Sequence, residues 1–210
     1  MLTRPGSGRG RLGEGDAAAL QEWTVVAVVA AWFCFAAIFV CRRRPTASAE
    51  RTRDPMGSVG LLLQGVGFGM VWSIRRPATV PLLDTSFPVL VAIAVLDVAI
   101  AAASVALTLW SVRHLGRQWA LAARLVEGHQ LVTGGPYQHV RNPIYTAMLG
   151  MLVATGLAVS RPLGLLLGVL VFGAGTVIRV RAEERLLREA FGETWEAWAR
   201  RTPALLPGIW

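Results

Sequence analysis

Apolar and polar positions alternate in long blocks along the chain. Five apolar runs stand out, at about Trp23 to Cys41, Gly57 to Ile74, Pro88 to Val112, Ile144 to Ser160 and Leu163 to Ile178. Several approach the ~20 residues that a bilayer-spanning helix needs. The last two are shorter and are split only by Arg161-Pro162, which predicts an antiparallel helical hairpin. The polar blocks are a basic loop, CRRRPTASAERTRDP, a proline-bearing loop from Arg75 to Phe87, and the segment RHLGRQWALAARLVEGHQ after Val112. Residues 1–21 are rich in Gly, Arg and small residues without periodicity and read as a disordered tail. No short apolar core begins near the start, so a cleaved signal peptide is not expected. From Arg179 the pattern is polar and helical, is interrupted at Phe191-Gly192, and ends in RTPALLPGIW. The expected fold class is all-α: a polytopic membrane helical bundle of about five transmembrane helices with a C-terminal cytoplasmic helical segment.

Two polar features lie inside the apolar runs. Gly65, Gly67 and Gly69 form a GxGxG in the second run. Within an apolar helix this spacing predicts close helix packing through small residues, not a dinucleotide loop. Asp97 lies near the middle of the third run. An intramembrane acid is a functional candidate by default. Its run holds no other site residue, so Asp97 is expected to be structural, bonded to a neighbouring helix or set in a polar cavity.

Composition and charge narrow the class. The chain has 210 residues, is 54% hydrophobic and carries a net charge of +8, with arginine as its only strongly basic residue. With five spans, alternate loops share a side. The first loop, the third loop and the tail together hold 15 arginines, against six on the other side. The arginine-rich side is expected to be cytoplasmic. The arginines are dispersed among membrane loops, which argues for lipid headgroups and against nucleic acid as partner. Cys34 and Cys41 share one apolar run and predict neither zinc site nor disulfide framework. His114, His129 and His139 lack the i, i+4 spacing of a helical metal pair, and no metal is expected.

The longest segment dense in polar and ring-bearing residues between two apolar blocks is Gly128 to Tyr145, GHQLVTGGPYQHVRNPIY. Gly134, Gly135 and Pro136 form a turn cluster. Tyr137, His139, Arg141, Asn142 and Tyr145 follow within nine positions, and Pro143 suits the first turn of a helix. A loop rich in hydrogen-bonding groups thus sits at the mouth of a buried helix. In the tail, Arg179 and Glu183 are four apart, as are Glu184 and Arg188, so each pair shares a helical face. Trp195, Trp198 and Ile209 add apolar surface suited to the headgroup level or to closing a pocket.

GHQLVTGGPYQHVRNPIY, the hairpin, and then RVRAEERLLREAFGETWEAWARRTPALLPGIW together resemble the isoprenylcysteine carboxyl methyltransferase family and its bacterial relatives. Phospholipid N-methyltransferases share the scheme. The resemblance covers about Leu115 to Trp210. It implies an S-adenosyl-L-methionine-dependent methyltransferase whose cofactor pocket is built from the loop before the hairpin and the segment after it. Three regions follow: a tail at 1–21, transmembrane helices 1–3 at 22–112, and a cofactor-binding methyltransferase core at 113–210. By motif, the resemblance assigns His129, Gln130, Leu131, Val132, Tyr137, Asn142, Pro143, Ile144, Tyr145 and Glu183 to the cofactor, and Arg179 to the orientation of the methyl acceptor. Asn142 stands where the family has histidine, and asparagine donates and accepts but carries no charge.

Methyl transfer from a sulfonium needs positioning and a dry site more than acid–base help. A carboxylate acceptor is already ionised, and the fork of Arg179 matches its two oxygens. The resemblance implies a lipophilic or small-molecule acceptor, isoprenylcysteine-like if a carboxylate, in contact with membrane lipids. It also implies a bacterial inner-membrane location with the site facing the cytoplasm. Two other classes stay open on the sequence: an NADPH-dependent membrane reductase of the sterol-reductase kind, and a non-enzymatic membrane interaction protein on the same scaffold. The acceptor and the oligomeric state are not legible.

Overall fold

The computed structural model describes residues 8–41, 50–53, 55–116, 124–126 and 130–206. The fold is all-α apart from one small ribbon. Its helices are α1 Gly8–Cys41, α2 Met56–Ser73, α3 Phe87–Leu115, α4 Pro143–Val159, α5 Pro162–Phe191 and α6 Glu193–Ala199. Two short strands, β1 Glu50–Arg53 and β2 Arg124–Val126, pair antiparallel. Among the described residues, four helical segments are long and apolar enough to cross a membrane: Gly15–Cys41 of α1, α2, α3 and α5.

Helix α4 is the shorter fifth apolar element and sits innermost. Met151, Leu152, Ala154, Thr155 and Ala158 on it are at most 1% exposed. They pack with Val28 and Phe35 of α1, Ala101 of α3, and Val71 and Phe172 of α2 and α5. The outer faces carry exposed Trp23, Phe33, Leu62, Val95, Leu166 and Leu170. Apolar surface of that extent suits a bundle whose backbone polar groups are all satisfied internally while lipid covers its outside.

One boundary differs from the sequence pattern. Helix α1 already runs from Gly8, so most of the stretch expected to be a disordered tail is helical. Ala17, Ala18, Ala19 and Leu20 are strong helix formers continuous with the span. The Gln21 amide then ties this part to the bundle by donating to the Ala158 carbonyl at 2.6 Å. Helix α5 runs past the apolar segment ending at Ile178 and through the charged tail to Phe191, as the helical pattern from Arg179 predicts. No Gly or Pro lies between Ile178 and Gly192, where φ turns to +49° and the N–H bonds back to the Arg188 carbonyl at 2.9 Å.

Glycine packing is real, but of the GxGxG it uses Gly67, together with Gly60 on the same helix face. Helices α2 and α5 approach so closely that a Cβ on Gly67 would lie 2.8 Å from the Gly168 carbonyl oxygen, and one on Gly60 would lie 2.6 Å from that of Gly175. Gly65 and Gly69 face open space. The residue pointing inward with this seam is Gln64, whose amide donates to Thr176 Oγ1 at 2.9 Å. Gly67→Val is therefore expected to destabilise the bundle by about 1–3 kcal/mol through overpacking. Gly65→Val should stay within about 0.5 kcal/mol of wild type. Unfolding of both variants in mixed micelles separates the two expectations.

Candidate functional site

The central loop folds back on α3 before entering α4. Gly135 takes φ +60°, and a side chain there would collide with the His114 imidazole at 2.3 Å. His114 itself bonds through Nδ1 to the Trp110 carbonyl at 2.9 Å. Residues Gly135–Gln138 form one 3₁₀ turn, which buries Pro136 and Tyr137. Pro143 occupies the first helical position of α4, as its missing N–H favours.

The C-terminal segment returns to this loop and clips onto it. The Arg141 N–H donates to the Pro203 carbonyl at 2.8 Å, and the Asn142 N–H to that of Ala204 at 3.0 Å. Asn142 Nδ2 reaches the same Ala204 oxygen at 3.1 Å. Thr146 Oγ1 donates to the Leu205 carbonyl. Arg141 joins the layers: its Nε meets Glu184 Oε1 at 2.8 Å, and its Nη1 donates to the carbonyls of Ala199 and Thr202. The Arg141 and Arg188 guanidinium groups lie 5.8 and 4.5 Å from the ring centre of Trp195, which is 2% exposed. Glu184 is thus engaged by Arg141, while Arg188 pairs with Glu196 at 2.6 Å.

Beneath this clip, three elements converge. From α4, the Tyr145 hydroxyl donates to Glu183 Oε1. From α5, Arg179 Nη2 approaches the same oxygen at 3.4 Å, and its guanidinium lies over the Tyr145 ring at 5.2 Å. From the central loop, buried Tyr137 comes close enough for the Glu183 charge to act on it. Burial first, and that charge second, raise the Tyr137 pKa well above the ordinary phenol range, so its hydroxyl stays protonated. Tyr145, Val180 and Ala204 form the apolar floor. The Arg179 side chain is 5% exposed and that of Glu183 is 27% exposed, so the acid is the partner that faces outward. Both contacts to Glu183 fall on Oε1, and no described residue donates to Oε2.

Of the residues that the resemblance nominates, Tyr137, Tyr145, Arg179 and Glu183 are brought together by the loop, α4 and α5, while Asn142 bonds the returning tail at Ala204 and Pro143 is buried at the start of α4. Ile144, Leu131 and Val132 are half-buried and Gln130 is exposed. His129 lies outside the described residues, as does Ile209. Sequence reasoning missed Arg141, Glu184 and Thr146 as the residues that clip the tail. The signal available was the position of Arg141 and Thr146 within and just after the central stretch.

Residues 92–194 match the family described as phospholipid methyltransferase. The chain is 32% identical over 86 residues to protein-S-isoprenylcysteine O-methyltransferase B of Arabidopsis thaliana, covering 41% of this chain and 44% of that protein. It is 37% identical over 105 residues to the cobalt-zinc-cadmium resistance protein CzcN of Cupriavidus metallidurans, covering 47% of this chain and 46% of that protein. The chain thus spans less than half the length of each of these curated relatives.

Proposed function

We propose that this chain, whose residues 92–194 match the family described as phospholipid methyltransferase, moves a methyl group from S-adenosylmethionine to a lipophilic or small acceptor in the membrane. The observation that carries this reading is Glu183: a carboxylate held in place through one oxygen by Tyr145 and Arg179, with the other left for a ligand's donor. The residues fit such a cofactor. Glu183 Oε2 suits an amino group or a ribose hydroxyl, and the ring of Tyr145 suits an adenine face or a sulfonium. The cofactor supplies, when bound, a methyl group already activated on sulfur. The protein supplies order: Asn142 fixes the returning tail, and Tyr137 and Tyr145 wall the site against water. In this reading the cofactor set is that of the resemblance, with Gln130, Leu131 and Val132 leading into it and Pro143 and Ile144 shaping the mouth of α4.

Arg179 is the acceptor-orienting residue of the proposal. Its guanidinium stands beside Glu183, so positive charge for an isoprenylcysteine-like carboxylate adjoins the group that holds the methyl donor. Arg179→Lys keeps the charge and loses the planar fork. The expected result is cofactor affinity within about threefold of wild type and turnover lowered by about tenfold or more. A methyl-transfer assay with prenylcysteine, phospholipid amine and thiol acceptors reads the acceptor class directly. Failure of every lipophilic acceptor with cofactor bound would contradict it.

The site is proposed to face the cytoplasm of a bacterial inner membrane. The arginine asymmetry supports this orientation. A cysteine placed at exposed Glu193, in a variant with Cys34 and Cys41 replaced, should react with an impermeant thiol reagent only from the cytoplasmic side. Labelling from the opposite side would invert the topology.

A further inference from the structure

The resemblance assigns no role to any residue before His129, yet the central loop is seated on the last turn of α3, where His114 stands. We propose that His114 is a positioning residue for the methyl-transfer site: it fixes the turn at Gly135 and so holds Tyr137 beside Glu183. This role rests on the cofactor pocket proposed above, and it names what fixes one wall of that pocket.

The contacts run in order from α3 to Tyr137. A carbonyl oxygen only accepts, so the 2.9 Å bond to Trp110 places a hydrogen on His114 Nδ1 and orients the ring. The Trp110 indole meets that ring edge to face, with centres 5.9 Å apart. Held this way, the far edge of the imidazole lies against Gly135. A Cβ on Gly135 would fall 2.3 Å from Nε2, 2.4 Å from Cδ2 and 2.7 Å from Cε1. Glycine leaves room for the ring and takes φ +60° without strain.

From Gly135 onward the turn moves as one unit. The Tyr137 N–H donates to the Gly134 carbonyl at 3.2 Å, and the His139 and Val140 N–H groups donate to the Pro136 carbonyl at 3.1 and 3.2 Å. His139, past the far end of the turn, comes back to Trp110, with ring centres 6.4 Å apart. Tyr137 thus lies between two holds on α3, one at Gly135 and one at His139. Pro136 and Tyr137 are the buried residues of the turn, while His114 and His139 are exposed. Loss of the His114 ring therefore opens no core cavity, and its effect should stay local to the loop.

The chain has two tyrosines, Tyr137 and Tyr145, so phenol ionisation reads the loop directly. The test follows tyrosinate absorbance from about pH 8 to about pH 11 in the purified full-length chain in detergent, without cofactor, with circular dichroism to establish folding. Wild type is expected to form no tyrosinate in this range, because both phenols are buried. His114→Ala should release one phenol, ionising near the ordinary value of about 10. Adding Tyr137→Phe should abolish that signal. His114→Gln, which returns a polar group near the place of Nε2, should keep most of the shielding. Calorimetric S-adenosylmethionine affinity should fall by about tenfold in His114→Ala and recover in His114→Gln. Two masked phenols in folded His114→Ala would overturn the proposal, as would a released Tyr137 with unchanged cofactor affinity. If His114→Ala does not fold, Gly135→Ala breaks the same contact from the loop side and must release the same single phenol. A wild type that binds no S-adenosylmethionine would remove the proposed function, and the phenol titration would still decide whether His114 holds Tyr137.

Discussion

Glu183→Gln is expected to weaken S-adenosylmethionine binding by roughly 1.5–3 kcal/mol, about 10- to 150-fold, the range of a charge-assisted hydrogen bond. Glutamine preserves the length and one carbonyl oxygen. It can still accept the Tyr145 hydroxyl and a weaker contact from Arg179. What it loses is the charge and the second acceptor. That second acceptor, Oε2, is the atom that the proposal gives to the cofactor, since Tyr145 and Arg179 both use Oε1. Tyr145→Phe should do less, because it frees Glu183 without discharging it. Calorimetric titration of both variants, with far-ultraviolet circular dichroism to establish folding, gives the comparison. Wild-type affinity in folded Glu183→Gln would remove Glu183 from the site and leave the Arg179–Glu183 pair as a charged collar at the membrane boundary.

Arg141→Met is expected to have the larger effect on stability, about 3–5 kcal/mol, because it strands a mostly buried carboxylate. The side chains of Arg141 and Glu184 are 10% and 12% exposed, so Glu184 would have little water to replace its partner. The same substitution removes donors from the Ala199 and Thr202 carbonyls and one of the two cations stacked on Trp195. The returning tail should then detach from the central loop. Trypsin should cleave at Arg200 and Arg201 faster than in wild type, and cofactor affinity should fall without any change to Glu183. Arg141→Lys should recover part of the stability through charge, but not both the Glu184 contact and the carbonyl contacts. A wild-type melting midpoint in Arg141→Met would show that the clip does not hold the fold.

The helices were legible because lipid imposes a simple rule, a long apolar run with polar ends. The starts of α2, α3, α4 and α5 fall within a residue of the pattern, and Pro143 and Gly192 mark a start and a stop by their backbone chemistry. The extent of α1 was not legible, because Gly and Arg upstream masked the helix-forming run from Ala17. The choice of seam glycines was not legible either. Gly60 and Gly67 differ from Gly65 and Gly69 only in which of them meets α5, and no spacing within α2 states that.

For the site, the residue types in the central loop and the Arg179–Glu183 spacing were enough to nominate two halves. Their meeting depends on backbone pairing between residues 141–142 and 203–204, which leaves no side-chain pattern. The role of Asn142 illustrates the difference. As a sequence departure it reads as a lost charge. In the fold its N–H and Nδ2 both donate to one Ala204 oxygen, a task that requires a donor and no charge. The identity of Glu184's partner was hidden for the same reason: the helical neighbour Arg188 was visible in sequence, and Arg141 across the clip was not.

The central claim is that this bundle holds S-adenosylmethionine between the central loop and α5. Calorimetric titration of the purified full-length chain in detergent with S-adenosylmethionine, and separately with NADPH, tests it most directly. The expected result is saturable binding of S-adenosylmethionine at one site per chain and no binding of NADPH. Saturable NADPH binding without S-adenosylmethionine binding would favour a reductase, and binding of neither by folded protein would contradict the enzymatic account.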